Sequence, residues 1–241
     1  GRKQVLLVSD QEVLSSSLTQ YSDYMKSAKK SSSKDGAAMV TRVGKKIAAA
    51  TEQYLRNNGL ESEIKNFAWE FNLVNDPQVN AFCMPGGKIV VYEGLMQLVS
   101  SDDELAVVVG HEVAHAVAKH SNERMSQQLM AQYGAQILGQ ALSNKSAAVQ
   151  KIGASVYGLG AQYGVMLPFS RKHESEADYM GLVFMAMAGY NPAVAVNFWQ
   201  KMSAGKSGST PEFMSTHPSD ATRINEIKQH LPEIEKYRVK K

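Results

Sequence analysis

Apolar positions recur along most of the chain at helical spacing. Val40, Val43, Ile47, Ala50, Tyr54 and Leu55 fall on one face, and Asn58-Gly59 closes that helix with residues that tolerate a left-handed turn. Ahead of it, Ser9-Asp10-Gln11-Glu12 has capping-box spacing and predicts a mostly polar helix to about Lys30, broken by Ser31–Gly36. The period changes at Phe67. Phe67–Val74 alternates large apolar residues with others and reads as a strand ended by Asn75-Asp76-Pro77. Asn80–Phe82 and Lys88–Tyr92 read as two more strands, with Pro85-Gly86-Gly87 as the turn between them.

Ser101-Asp102-Asp103-Glu104 is a second capping box, whose three acids suit the positive end of the helix that follows. Residues 131–168, rich in Gly, Ala, Gln and Ser, read either as a helical hairpin or mobile cover, or as a plain connector. From Arg171 to Ala188 another helix is expected, stopped by Gly189. Asn191-Pro192 restarts a helix that ends near Gly205, residues 205–218 form a loop, and Ser219 or Asp220 opens a last helix to Leu231-Pro232. The expected fold class is therefore α+β and mostly helical, with a small sheet of about three strands. The chain is expected to be one domain, 1–241: N-terminal helices over 1–59 wrap a core over 60–231, and 232–241 is a basic tail.

Composition narrows the function. The 241 residues are 44% hydrophobic and 20% charged, enough for a sizeable core, and a net charge of +3 with no aromatic-basic module argues against nucleic acid. The basic clusters at Lys26–Lys34 and at Lys236, Arg238, Lys240 and Lys241 read as a solvated helix end and tail. No apolar run approaches the roughly 18 residues of a spanning helix. Cys83 is alone, so no internal disulfide is expected, and Gly1-Arg2-Lys3-Gln4 reads as a trimmed or engineered start.

The chemistry is concentrated in His111-Glu112-Val113-Ala114-His115. Histidines four apart on a helix are separated by about 400° of rotation, so both imidazoles leave one face a turn apart and can share a metal ion. Glu112 lies about 100° round, within reach of a water at that ion. The motif is flanked by Val107–Gly110 and Ala116–Ala118, a setting too apolar for a solvated turn. Two histidines and a glutamate buried there call for a partner such as a metal.

A catalytic zinc usually takes three protein ligands. An extended motif with a third histidine would need Gly at 118 and His at 121, where the chain has Ala118 and Ser121. His120, about 180° from His111 on a continuous helix, is expected to point away and be exposed. Glu174-Ser175-Glu176-Ala177-Asp178 offers an alternative on a second helix. Glu174 and Asp178 share a face, with Glu176 about 200° away; Glu174 is assigned as the ligand, and Asp178 as acceptor for the other ring N–H of a zinc histidine. The competing reading is a solvated acidic face paired with Arg171 and Lys172, and His173 flanks the face as a weaker ligand candidate.

These residues carry a resemblance. His111–His115 with Ser170-Arg171-x-x-Glu174-x-Glu176-Ala177-Asp178 looks like peptidase family forty-eight, the zinc metallopeptidases that include the HtpX, CAAX prenyl endopeptidase and Oma types. Asn80–Phe82, Pro85–Gly87, Glu93–Leu95 and Thr216–Ser219 with Arg223-Ile224 resemble its other blocks, so the likeness runs from about 60 to 230. It implies a gluzincin core whose edge strand flanks the zinc helix, one Zn2+ per chain, and Glu174 as the third ligand. Gly1–Gln4 resembles the start of a soluble, lipoprotein-like branch. That branch implies a periplasmic or envelope location, a lipid anchor upstream of Gly1 and room for association with a membrane surface. Membrane helices of HtpX and the prenyl protease are missing from the pattern, so their membrane substrates do not carry over.

The expected activity is zinc-dependent endopeptidase action on unfolded or misassembled proteins in envelope quality control, with Glu112 as general base. The alternative is a zinc-bound chaperone or assembly factor that cleaves little; a zinc hydrolase acting on another ester or amide fits less well. Lys88, Ile89, Val90, Val91 and Tyr92 are assigned as an edge strand that binds an extended polypeptide by main-chain hydrogen bonds. His217 has three readings: with Arg223 nearby it donates to the oxyanion, it fills the fourth zinc position and silences the site, or it caps a turn before Pro218.

Overall fold

A computed structural model describes residues 3–133, 145–156, 169–204, 211–218 and 221–239. Helix α1 (Asp10–Ser27) starts on the expected capping box: Ser9 Oγ accepts from Glu12 N–H while Glu12 accepts from Ser9 N–H. It ends at Ser27, short of Lys30. Helix α2 (Lys34–Asn57) is capped by Ser33 and leaves through Gly59 at φ 71°. A short 3-10 turn, Glu61–Asn66, leads to β1 (Glu70–Val74), then β2 (Ala81–Met84) and β3 (Lys88–Tyr92), the last two joined through Gly86 and Gly87 at φ 97° and 84°.

The strand order is β1-β3-β2, with β1 parallel and β2 antiparallel to β3. Lys88–Tyr92 is therefore the central strand, not the edge, and is buried along its whole length. The reason is two-sided packing. Ile89 and Val91 join the core under α2 and the motif helix, while Val90 and Tyr92 join a second cluster with Val13 and Tyr21 of α1. Lys88 is tied down by Ala68 O at 2.6 Å and Glu70 Oε1 at 2.8 Å. The edge strand beside the motif helix is β2.

After a single turn, α3 (Glu93–Met96), helix α4 (Asp102–Val117) carries the motif. Ser101 Oγ accepts from Glu104 N–H, but the return arm differs from a capping box, since Glu104 accepts from Ser100 N–H. The backbone then flips at Lys119, φ 58°, and a new helix α5 (His120–Tyr133) sets off. Helix α6 (Lys145–Val156) puts Val149 and Ile152 into the cluster with α1 and α5. Much of the expected hairpin or cover lies outside the described residues.

Helix α7 (Arg171–Met187) crosses α4 and is followed by α8 (Val194–Ala204), which starts just beyond the expected Asn191-Pro192. The expected loop contains a short helix α9 (Glu212–Thr216). The last helix, α10 (Ala221–Ile234), keeps Pro232 inside it; its expected cap, Ser219 or Asp220, lies outside the described residues. No described helix is long and apolar enough to cross a membrane.

Candidate metal centre

The centre is built where α4 and α7 touch backbone to backbone. A Cβ on Gly110 would lie 2.8 Å from Gly181 O, and one on Gly181 would lie 2.8 Å from His111 N. Two turns before Gly181 on the same face, Glu174 is thereby carried against the motif imidazoles. Its Oε1 is 3.1 Å from His115 Nε2 and its Oε2 is 3.4 Å from His111 Nε2; the two Nε2 atoms are 3.0 Å apart.

His217 arrives from the end of α9. Phe213 N–H donates to Val79 O at 3.0 Å and Phe169 N–H donates to Thr216 O at 2.9 Å, while the Phe213 ring stacks on the His217 ring at 4.2 Å. His217 Nδ1 lies 3.0 Å from Glu174 Oε1 and 3.2 Å from His111 Nε2, and its Nε2 lies 3.2 Å from Glu112 Oε1. His111, His115, Glu174 and His217 thus bring four donor atoms within 4.8 Å of one another, all buried.

This donor set fits zinc. Tetrahedral bonds of about 2.0–2.1 Å put the corners roughly 3.3–3.4 Å apart, close to the 3.0–3.4 Å found here. Three buried imidazole nitrogens converge, and their facing lone pairs repel unless a cation or proton lies between them. Glu174 Oε2 and Glu112 Oε1 are also buried carboxylate oxygens without an aligned hydrogen bond.

The charges around the cluster shift the titration of its members. Burial works against the His111 imidazolium, yet Glu174 and Asp178 outweigh it and push its pKa up to about 9. His115 is driven well below the usual histidine range by burial, with His111 and His120 adding to it. Glu174 is held well below the carboxylate range against its burial, by His217, His111 and Arg223. Burial raises Glu112, the direction that suits a group that must pick up and return a proton.

Asp178 Oδ1 accepts from His111 Nδ1 at 2.9 Å. Arg223, expected beside an oxyanion with His217, is engaged with two carboxylates. Its Nε donates to Asp178 Oδ2 at 2.5 Å and its Nη2 to Oδ1 at 2.8 Å, while Nη1 lies 2.9 Å from Glu174 Oε2. It also donates to the carbonyls of His217 and Pro218, so it braces the carboxylates from behind.

The cleft itself runs between β2 and the centre, with Glu112, His115, Arg124, Phe169 and His217 on its walls. Within β2, Phe82 and Met84 face Val90 and Lys88, and Tyr92 N–H donates to Asn80 O. Antiparallel pairing alternates, so Ala81 and Cys83 turn their main-chain groups to the outer edge. Asn80 Oδ1 accepts from Ala81 N–H at 2.9 Å, and Cys83 N–H is directed at the Glu112 carboxylate. Lys88–Tyr92 lies one strand further in.

His120 contradicts its expected exposure: it is fully buried, and its Nδ1 is 2.8 Å from His115 Nδ1. The flip at Lys119 ends the helical phase from which the opposite direction was counted. Glu176 does turn away from Glu174, but toward His120 Nε2, at 2.9 Å. Arg124, whose guanidinium stacks 3.6 Å above the Phe169 ring, carried no sequence signal of its own.

Comparison with known proteins places this geometry. The sequence profile described as Peptidase family M48 matches residues 41–231. The chain is 36% identical over 205 residues to the mitochondrial metalloendopeptidase OMA1 of Schizosaccharomyces pombe, covering 81% of this chain and 53% of that protein. It is 40% identical over 168 residues to the OMA1 of Arabidopsis thaliana (70% and 33%). With the beta-barrel assembly-enhancing protease of Yersinia pestis it shares 33% identity over 174 residues (67% and 36%). The chain spans about half or less of the length of these relatives.

Proposed function

The chain belongs to peptidase family M48, and from that premise we propose that it is a zinc metalloendopeptidase acting on unfolded or misassembled polypeptides. The observation that carries the reading is the cluster of His111, His115, Glu174 and His217 with Glu112 against it in a cleft edged by β2. Zinc bound there supplies a Lewis acid that polarises the scissile carbonyl and lowers the pKa of water. Glu112 takes the proton of the attacking water and delivers it to the leaving amine. Asp178 and Arg223 hold His111 and Glu174 in place. An extended substrate adds to the outer edge of β2 by hydrogen bonds to the carbonyls of Ala81 and Cys83, whose N–H groups are engaged by Asn80 and Glu112, which favours unfolded chains over particular sequences.

His217 acts as a lock in this arrangement. With Nδ1 among the donors and Nε2 at Glu112, its ring occupies both the fourth position and the base. Hydrolysis then requires the segment that carries it to withdraw, which gives a dormant form suited to quality control. The names of the relatives, an assembly-enhancing protease and a mitochondrial metalloendopeptidase, support a role in protein quality control at an envelope or organelle. A lipid anchor and membrane-surface association remain part of this proposal by resemblance to the lipoprotein-like branch.

A time course of casein digestion, with and without a chelator, tests it. Chelator-sensitive, zinc-restored cleavage is the expected result. A zinc-loaded protein that leaves casein intact both as wild type and after His217→Ala points instead to the chaperone reading.

A further inference from the structure

The two motif histidines are held in different ways. His111 gives its Nδ1–H directly to a carboxylate, Asp178. His115 meets another imidazole. For His115 Nε2 to offer a lone pair to a metal, its proton must sit on Nδ1. That proton points at His120 Nδ1, 2.8 Å away, which must therefore accept and carry its own proton on Nε2. His120 Nε2 lies 2.9 Å from Glu176 Oε2, a carboxylate able to receive it. Each atom in the series thus has one role, and only one pair of tautomers satisfies all of them.

We infer that His120 and Glu176 are positioning residues that fix the tautomer and orientation of His115 and so set how tightly the centre binds zinc. The inference rests on the zinc reading above, and it adds a two-member relay in place of the single partner a ligand histidine ordinarily has.

The surroundings are built to keep His120 still. It is fully buried, whereas the Glu176 side chain is about a quarter exposed and keeps its charge in contact with water. The His173 ring stacks on His120 with centroids 4.5 Å apart. His173 is itself fixed, since Ser170 N–H donates to its Nδ1 and its Nε2 meets Glu123 Oε2 at 3.1 Å. On the other side, Phe169 stacks on His115 at 3.9 Å. Lys119 makes the approach possible: at φ 58° it turns the backbone so that His120 returns to the ring one turn behind it. Its ammonium is anchored to Asp10 at 2.8 Å and Glu63 at 3.0 Å. His120 thus comes from the junction of α4 and α5, while Glu176 and Asp178 both belong to α7.

The test measures the zinc dissociation constant of the purified chain by competition with a chromophoric chelator, with the visible spectrum of the Co2+-substituted protein as a second readout. His120→Ala is expected to weaken zinc binding about 10–100-fold and to change the Co2+ bands. His120→Gln, whose carboxamide has one acceptor and one donor, should recover much of the loss, and Glu176→Ala should show a smaller loss. A folded His120→Ala protein with the parent's affinity and Co2+ spectrum overturns the relay. Should His120→Ala fail to fold, Glu176→Ala decides: unchanged affinity there overturns it equally. If the parent chain itself binds no zinc, the metal reading fails and the relay with it, a result distinct from normal binding that the variants leave untouched.

Discussion

Gly110 and Gly181 face each other where α4 and α7 cross, each leaving less than 3 Å for a Cβ of the other. Because the nearest atoms are backbone, a methyl group has nowhere to go without parting the helices. Glu174 and the motif histidines sit on opposite sides of that seam, so the crossing distance and the donor geometry are one quantity. Gly181→Ala is expected to cost about 1–3 kcal/mol and to weaken zinc binding as well. Thermal melts in chelator and a zinc competition assay measure the two effects, and a variant with parental values in both refutes the coupling.

Glu112→Gln keeps the shape of the side chain and removes the base. Zinc content and melting temperature should stay near the parent's, while casein turnover falls by about 10²–10⁴-fold. Turnover at the parental rate would assign the proton transfer to another group.

His217→Ala empties the position that the ring shares between Glu174 and Glu112. Initial rates on fluorescent casein are expected to rise, with His111, His115 and Glu174 still holding zinc. A variant that binds a full equivalent of zinc and does not cleave would move His217 to the oxyanion role.

Metal removal should destabilise the fold, because three imidazoles and two carboxylates would be left buried against one another. Saturation at about 100 times the dissociation constant adds about 2.7 kcal/mol, seen as a higher melting temperature. Mg2+, which prefers oxygen ligands in octahedral geometry, should not restore it. Equal recovery with Mg2+ would contradict the nitrogen-rich donor assignment.

Acid should weaken the start of the motif helix. Burial raises the pKa of Glu104, but Lys201 at 2.8 Å and the Ser100 N–H outweigh it and leave the carboxyl below its usual value of 4.5. A depressed carboxyl stabilises the fold above its unfolded pKa and loses that contribution as pH falls through the folded one. This partly exposed pair contributes about 0.2–1 kcal/mol. Lys201→Ala should therefore lower the melting temperature near neutrality and flatten its decline as pH falls below the usual carboxyl value of 4.5. An unchanged slope would show the pair to be inert.

What could be read along the chain was whatever helical phase controls. His111 and His115 share a face, as do Glu174 and Asp178, because about 100° per residue is a local property that needs no knowledge of the fold. The cap at Ser9 and the turn at Gly86-Gly87 were legible for the same reason. Phase stops being informative where the backbone leaves the helix, and Lys119 reverses the expected direction of His120 within two residues. Strand order was not legible either. Nothing within Lys88–Tyr92 fixes its place in the sheet; β1 pairs with it in parallel from 18 residues away (Glu70↔Lys88) and makes it central.

The sequence by itself determined the chemistry available: two imidazoles, a base and a carboxylate on helical faces, in a pattern that belongs to one peptidase family. Tertiary structure alone decided which groups meet, namely His217 with Glu112, His120 with His115, Arg223 with Asp178 and β2 with the cleft. Those pairings depend on how closely α4 and α7 approach and on which strand is left at the edge. Both are settled by packing summed over distant segments, which no local period encodes.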